Sequence, residues 1–149
     1  MKCVYIFFLG LLMFGCSRSS TSGTMSSWRT DSKPITSRIH AVDGSSAFTW
    51  KGELAGQSSS MSAPGPSTYR VRCFVEGFTN ALPNAASLTD LQPASLPSDT
   101  VFPKHLHAAS GNDWFISRTI DDALFSLKYQ GKAFYSPSHD LLYFDVFWQ

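Results

Sequence analysis

The chain is poor in charge, and the few charges that it carries are balanced. Charged residues make up 15% of the 149 residues, against roughly 25% in an ordinary soluble domain. Lys and Arg total 12 and Asp and Glu total 11, so the formal net charge is +1. Because a nucleic-acid-binding domain normally shows a basic patch or stripe, we expect no nucleic-acid partner. The balance also argues against an acidic disordered tail.

Cysteine is scarce as well. The chain has 3 cysteines, and two of them, Cys3 and Cys16, lie in the N-terminal segment discussed below. Cys73 is then alone in the rest of the chain, which excludes an intramolecular disulfide there. The strand-like stretch Tyr69–Glu76 alternates with a period of two and places Cys73 on its apolar face. We therefore predict a buried structural thiol at this position.

Motifs that announce an enzyme are also missing. The sequence contains no P-loop, no glycine pattern for dinucleotide binding and no G-x-S-x-G nucleophile elbow. Serine is abundant, so finding Ser, His and Asp somewhere in the chain carries no information about a triad. We expect a binding or scaffolding role rather than catalysis.

The N-terminus has the pattern of an export signal. Lys2 precedes an uncharged run of twelve residues, Val4–Gly15. A membrane span needs roughly 20 apolar residues, whereas the apolar region of a secretory signal peptide has roughly 7–15. Residues 1–15 are therefore predicted to be a signal peptide.

The end of this run carries a more specific pattern. Residues 12–16 read LMFGC and resemble the lipobox of bacterial lipoproteins, although Met13 and Phe14 depart from the usual leucine and small residue. The resemblance implies cleavage before Cys16, covalent lipid on Cys16 and attachment to a membrane. Ser17 beside the cysteine implies the outer rather than the inner membrane. The alternative is an ordinary secreted protein cut after Ser17.

Composition divides the exported part into a tether and a domain. Residues 16–34 are mostly small and polar and predict a flexible tether that begins at the lipidated Cys16. Residues 35–149 are predicted to form a single β-rich globular domain. We expect Ile35–Val42 and Ala47–Leu54 to pair as a hairpin, with a clear strand at Tyr69–Glu76.

Aromatic residues concentrate near the C-terminus, where 10 fall among residues 114–149. Ile120, Ala123, Leu124 and Leu127 recur at helical spacing, with Thr119 as N-cap and Gly131 as helix end. The alternative is a strand through residues 121–130, turning at Gln130-Gly131. Leu141–Trp148 is apolar on nearly both faces, which predicts a central strand paired with Lys132–Tyr135.

These patterns predict a β-rich α+β fold, mainly an antiparallel sheet with one or two short helices. If residues 121–130 are strand, the prediction becomes an all-β sandwich. The stretch from Gly77 to Lys104 contains four prolines and predicts a long loop, and loops of that length are often functional. Arg70 and Arg72 share one strand face, either as solvated charges or as a small anion-binding stripe.

Histidine provides the main hint of chemistry. On a strand, His105 and His107 would face the same way and could reach one metal ion, with His139 as a third ligand from a turn. Zinc or copper would suit such a set. This alternative describes a small metal-dependent or hydrolytic envelope enzyme that uses His105, His107 and His139. The competing interpretation is that His105 and His107 are solvated in a polar, Pro-flanked stretch, that nothing places His139 near them, and that the lipid on Cys16 is the only cofactor. The expected partners are the membrane and an envelope protein.

Overall fold

The computed structural model of the chain describes residues 27–39, 41–42, 46–55, 68–81, 88–125 and 129–148. The predicted signal peptide, Cys16 and the first part of the predicted tether lie outside the described residues. Residues 43–45, between the two strands of the predicted hairpin, and residues 56–67 lie outside them as well.

Six antiparallel strands form one sheet. They are β1 (Ala47–Ala55), β2 (Thr68–Glu76), β3 (Gln92–Pro93), β4 (Phe115–Ile116), β5 (Gln130–Ser136) and β6 (Leu141–Trp148). Their spatial order is β1-β2-β6-β5-β4-β3. The antiparallel, β-rich architecture with short helices confirms the predicted fold class.

The helices are short. They are α1 (Lys33–Thr36), α2 (Phe78–Ala81) and α3 (Arg118–Leu124), with 3-10 helices at Lys104–Ala109 and Pro137–His139. The predicted helix after residue 119 exists, but its N-cap is Ser117, whose hydroxyl accepts from the backbone N–H of Ile120 at 3.1 Å. The predicted helix end at Gly131 is wrong, since α3 stops at Leu124 and Gly131 lies in β5.

The predicted strand at Ile35–Val42 is also wrong. Lys33–Thr36 is helical, with Pro34 in the first turn, and Ile39 N–H donates to the Ile35 carbonyl at 2.8 Å. Ile35, Ile39 and Val42 are all buried, and their spacing of four and three residues is that of a helix face. β1 therefore pairs with β2, from Ala47↔Glu76 to Ala55↔Thr68, instead of with this segment.

Strand β6 is central, as its sequence predicts. It pairs with β2 on one side and with β5 on the other. Leu142, Phe144 and Val146 are fully buried on one face, and Leu141 and Tyr143 are equally buried on the other. Both faces of the strand are thus covered, which explains its almost continuous apolar sequence.

Each sheet face has its own core. On the helix face, Val71, Cys73 and Val75 of β2 meet α1, α2 and α3 through residues such as Ile35, Phe78 and Ile120. Cys73 is fully buried, as predicted, and burial raises the pKa of its thiol well above the ordinary value. Cys73 is a free thiol, so the packing of the helices against the sheet does not depend on a disulfide at this residue.

On the opposite face, called the loop face, Phe74 and Tyr143 meet residues from the 94–114 segment. Trp28 also packs here, with its ring centroid 5.7 Å from that of Phe74. Arg29 bridges to Trp50 by two backbone hydrogen bonds of 2.8 Å. Packing contacts therefore begin ahead of Ile35, the predicted start of the domain.

Candidate functional site

A row of charged residues crosses the loop face. The strand register aligns Lys51 with Arg72, Arg72 with Asp145, and Asp145 with Lys132. We call these four residues the charged row. The register and the alternation of side chains along each strand put these four residues on one face, which they share with Phe74 and Tyr143. Lys51, Arg72 and Asp145 are buried.

Carboxylates neutralise the buried cations. Arg70 grips Asp145 with two hydrogen bonds, Nε to Oδ1 at 2.8 Å and Nη2 to Oδ2 at 2.5 Å. Lys51 Nζ lies 3.2 Å from Glu53 Oε1 and over the ring of Trp28. Buried charges are costly unless they are paired in this way.

A further carboxylate comes from the long loop. Asp99 accepts from Arg70 Nη1 at 2.9 Å, and the same oxygen accepts from Arg72 Nη2. Arg72 also donates to the backbone carbonyl of Asp99 at 3.1 Å. We call this contact the Asp99 latch, because it ties the loop to strand β2.

The network shifts the acidities of its members. The hydrogen bond from Arg70 lowers the pKa of Asp99, and the charges of Arg72 and Arg70 add to it. Hydrogen bonding to Asp145 raises the pKa of Arg70. Burial raises the pKa of Tyr143, whose hydroxyl lies 3.5 Å from Asp145 Oδ2. The lowered pKa of Asp99 keeps that carboxyl ionised at neutral pH, and the raised pKa of Tyr143 keeps it a neutral phenol.

A pocket lies on the far side of the latched loop. Its volume is about 580 Å³, within the rough range of 300–1,000 Å³ of small-molecule sites. Leu96, Val101, Phe102 and Trp114 supply its apolar lining. The rings of Phe102 and Trp114 are 6.1 Å apart, and Trp114 Nε1 donates to the Ala109 carbonyl at 3.1 Å.

The base of this pocket is held by the sheet edge. β3 pairs with β4 at Gln92↔Ile116 and Pro93↔Phe115. The N–H of Ala94 then donates to the Trp114 carbonyl at 2.9 Å, which continues the pairing to the pocket. Polar lining comes from hydroxyl, amide and imidazole groups, those of Ser95, Thr100, His107, Ser110 and Asn112.

The structure separates the three histidines of the predicted metal site. The strand expected at His105 and His107 is a 3-10 helix, Lys104–Ala109, so residues two apart no longer share a direction. His105 Nε2 lies 3.5 Å from Glu76 Oε1 and 3.4 Å from Thr49 Oγ1, whereas His107 lines the pocket. His139 lies in the turn between β5 and β6. Within the described ranges, no three His, Cys, Asp or Glu side chains are grouped as metal ligands.

His139 belongs to a small cluster with two serines and an aspartate. Its Nδ1 lies 2.8 Å from Ser138 Oγ and 3.1 Å from Ser136 Oγ. Asp113 contacts Ser136 and the backbone N–H of Ser138 rather than the imidazole. A hydrolytic triad needs the acid on one ring nitrogen and the nucleophile on the other. Here both serines lie at Nδ1 and Asp113 contacts the serines, an arrangement that stabilises the turn between β5 and β6.

A second pocket, of about 500 Å³, lies beside α3 and holds Asp90, Asp121 and Asp122 with Arg118 and Lys132. Two of these carboxylates accept hydrogen bonds from backbone N–H groups, and Asp122 pairs with Arg118 at 3.5 Å. Asp90 accepts from Ser117 Oγ at 2.6 Å and from the Thr119 N–H at 2.9 Å, and these bonds lower its pKa. Asp121 accepts from the Ala133 N–H at 2.9 Å, while burial raises its pKa.

The sequence patterns did not predict the contact of Asp99 with the arginines or the residues that line the pocket. They placed Arg70 and Arg72 on one face and favoured solvated side chains, but Arg72 is 5% exposed. The signal that could have found the network is Asp145, a lone acid within an apolar strand. Such an acid needs a cation opposite it, and the Arg pair on β2 was available.

The fold and the site together define a β-rich domain with a loop-built pocket beside a buried ion-pair network. No protein-family model, no curated protein and no solved structure matches the chain. Among the helices of the described ranges, none combines the length and the apolar character that crossing a membrane requires.

Proposed function

We propose that this chain is an exported bacterial lipoprotein, anchored through lipid on Cys16, whose β-rich domain binds or scaffolds rather than catalyses. The anchor is supported by the run Val4–Gly15 and the LMFGC pattern that ends in Cys16. Ser17 favours the outer membrane. More than one acyl chain would hold the domain there stably, since each buried methylene contributes about 0.8 kcal/mol.

The observation that carries the binding role is the pocket between Leu96 and Trp114. Its lining offers apolar surface and hydrogen-bonding groups, which is the composition of sites that hold a ligand. Asp99 and Asp145 pair with the guanidinium groups of Arg70 and Arg72 beside it, although the buried Arg72 Nε has no hydrogen-bond partner among the described residues; these pairs shape the loop.

Metabolic labelling with a clickable fatty acid in a Gram-negative host tests the anchor. The wild-type chain should be labelled and should sediment with membranes, and Cys16→Ser should lose both properties. Cys3→Ser and Cys73→Ser are matched controls that should keep the label. Label remaining on Cys16→Ser, or an exported wild type without label, would refute the proposal.

Crosslinking of the anchored protein in its own membranes tests the binding role. A recurrent protein partner that disappears with Cys16→Ser would support scaffolding. Membrane-bound protein without a partner would direct the binding role to a small ligand.

A further inference from the structure

We infer that the pocket between residues 94 and 114 binds an uncharged small molecule that is part apolar and part hydrogen-bonding. This assignment rests on the binding role proposed above and gives it a ligand class. The volume of about 580 Å³ sets the size, since pockets of this order enclose drug-sized molecules.

The lining determines the charge of the ligand. None of its described residues is Asp, Glu, Lys or Arg, and His107 is the ionisable side chain among them. Asp99, between the lining residues Pro97 and Thr100, is paired with Arg70 and Arg72, and Asp113, between Asn112 and Trp114, accepts from the Ser138 N–H at 3.3 Å. The lining side chains therefore offer a charged ligand no Asp, Glu, Lys or Arg partner, so the part of its hydration that it gives up on binding is not replaced by an ion pair.

The lining also indicates which parts of the ligand are apolar and which form hydrogen bonds. Leu96, Val101 and Phe102 offer apolar contact along the loop, and Trp114 closes the base. Ser95 and Asn112, both exposed in the lining, add a hydroxyl and an amide, which can donate to and accept from hydroxyl or carbonyl groups. An apolar ring or short chain that carries one or two hydroxyl or carbonyl groups matches both the apolar and the hydrogen-bonding side chains of the lining.

Two related fluorescent probes test the inference. N-phenyl-1-naphthylamine is uncharged, and 1-anilinonaphthalene-8-sulfonate carries a sulfonate on a similar aromatic body. Both are titrated against the full chain carrying Cys16→Ser, purified without detergent. We expect one site that binds the uncharged probe at least about tenfold more tightly, a factor that corresponds to about 1.4 kcal/mol.

Substitutions at Val101 locate the site. Val101 lies on the pocket rim and is 47% exposed, so added bulk there is compatible with folding. Val101→Trp should weaken binding of the uncharged probe at least about fivefold, about 1 kcal/mol. Leu54→Trp, an equally exposed apolar position on β1 outside the pocket, should leave it within about twofold. Val101→Lys should raise the affinity for the anionic probe, and Leu54→Lys should not.

Equal binding of the two probes, or equal losses in Val101→Trp and Leu54→Trp, would overturn the assignment. Because the assay uses a chain without the lipid acceptor, its outcome is independent of anchoring. A failed labelling experiment at Cys16 would leave this result standing, and a failed probe titration would leave the anchor standing.

Discussion

At Gly131, two strands approach too closely for any side chain. A Cβ there would lie 2.3 Å from Val146 Cγ1 and 2.4 Å from the Asp145 carbonyl oxygen. Gly131→Ala should therefore lower the free energy of unfolding by about 1–3 kcal/mol, the usual cost of overpacking. Urea denaturation measures the change. Gly111→Ala is the matched control, since a Cβ at Gly111 meets nothing within 4 Å; equal stability of the two variants would contradict the prediction.

The same residue shows how far sequence patterns reach at this scale. Gly131 was assigned to a helix end or a hairpin turn, because glycine favours both. Its position in β5 against β6 follows from tertiary contact, which no local pattern contains. Cys73 illustrates the opposite case, since period-two alternation alone predicted its burial.

The strand predicted at His105 and His107 is wrong for a related reason. Their predicted common direction required a strand at residues 104–109, and the period of two is a property of strands only. The 3-10 helix after Pro103 sends His105 towards β1 and β2 and leaves His107 at the pocket. The 3-10 helix therefore corrects the strand geometry from which the common direction of His105 and His107 was predicted.

Among the elements, the long loop is the one that joins fold and site. The Asp99 latch ties it to β2, while its neighbours Pro97 and Thr100 line the pocket. Proline spacing predicted a loop here, and its length suggested function. Its path could not be predicted, because it depends on the buried cations of a strand far away in sequence.

The latch should make stability depend on pH. Arg70 lowers the pKa of Asp99 in the folded chain. A carboxyl whose pKa is lower in the folded state stabilises that state above its unfolded pKa, and the contribution fades as pH falls through the folded pKa. Asp99→Asn should therefore cost about 1 kcal/mol at pH 7, and the difference from wild type should shrink below about pH 4.

Urea denaturation between pH 7 and pH 3 measures this difference. Asp122→Asn is the control, because its pair with Arg118 is 3.5 Å long and lies on an exposed helix surface. Its loss should cost less than about 0.5 kcal/mol throughout. A constant gap between wild type and Asp99→Asn over the whole range would show that Asp99 does not act through its charge.

For the molecule as a whole, the sequence predicts which segments are strands better than it predicts the order of the strands in the sheet. The β5–β6 pairing joins neighbours through a short turn, and sequence reasoning found it. The pairing of β2 with β6 joins Cys73 to Phe144, and nothing local indicates such a distant partner. The strand prediction at residues 35–42 is wrong because the apolar residues there recur at helical spacing instead of alternating as in a strand.

The distant pairing makes the last residues of β6 essential. Phe147 aligns with Arg70 and Gln130, and Trp148 aligns with Tyr69, so deleting residues 147–149 shortens both ladders of the central strand. We expect loss of the cooperative unfolding transition, measured by circular dichroism during heating. Phe147→Ser keeps the backbone pairing of residue 147 and removes a side chain that is 38% exposed. It should therefore lower the free energy of unfolding by less than about 1 kcal/mol. A truncated chain that unfolds like wild type would show that β2 and β5 do not depend on this end of β6.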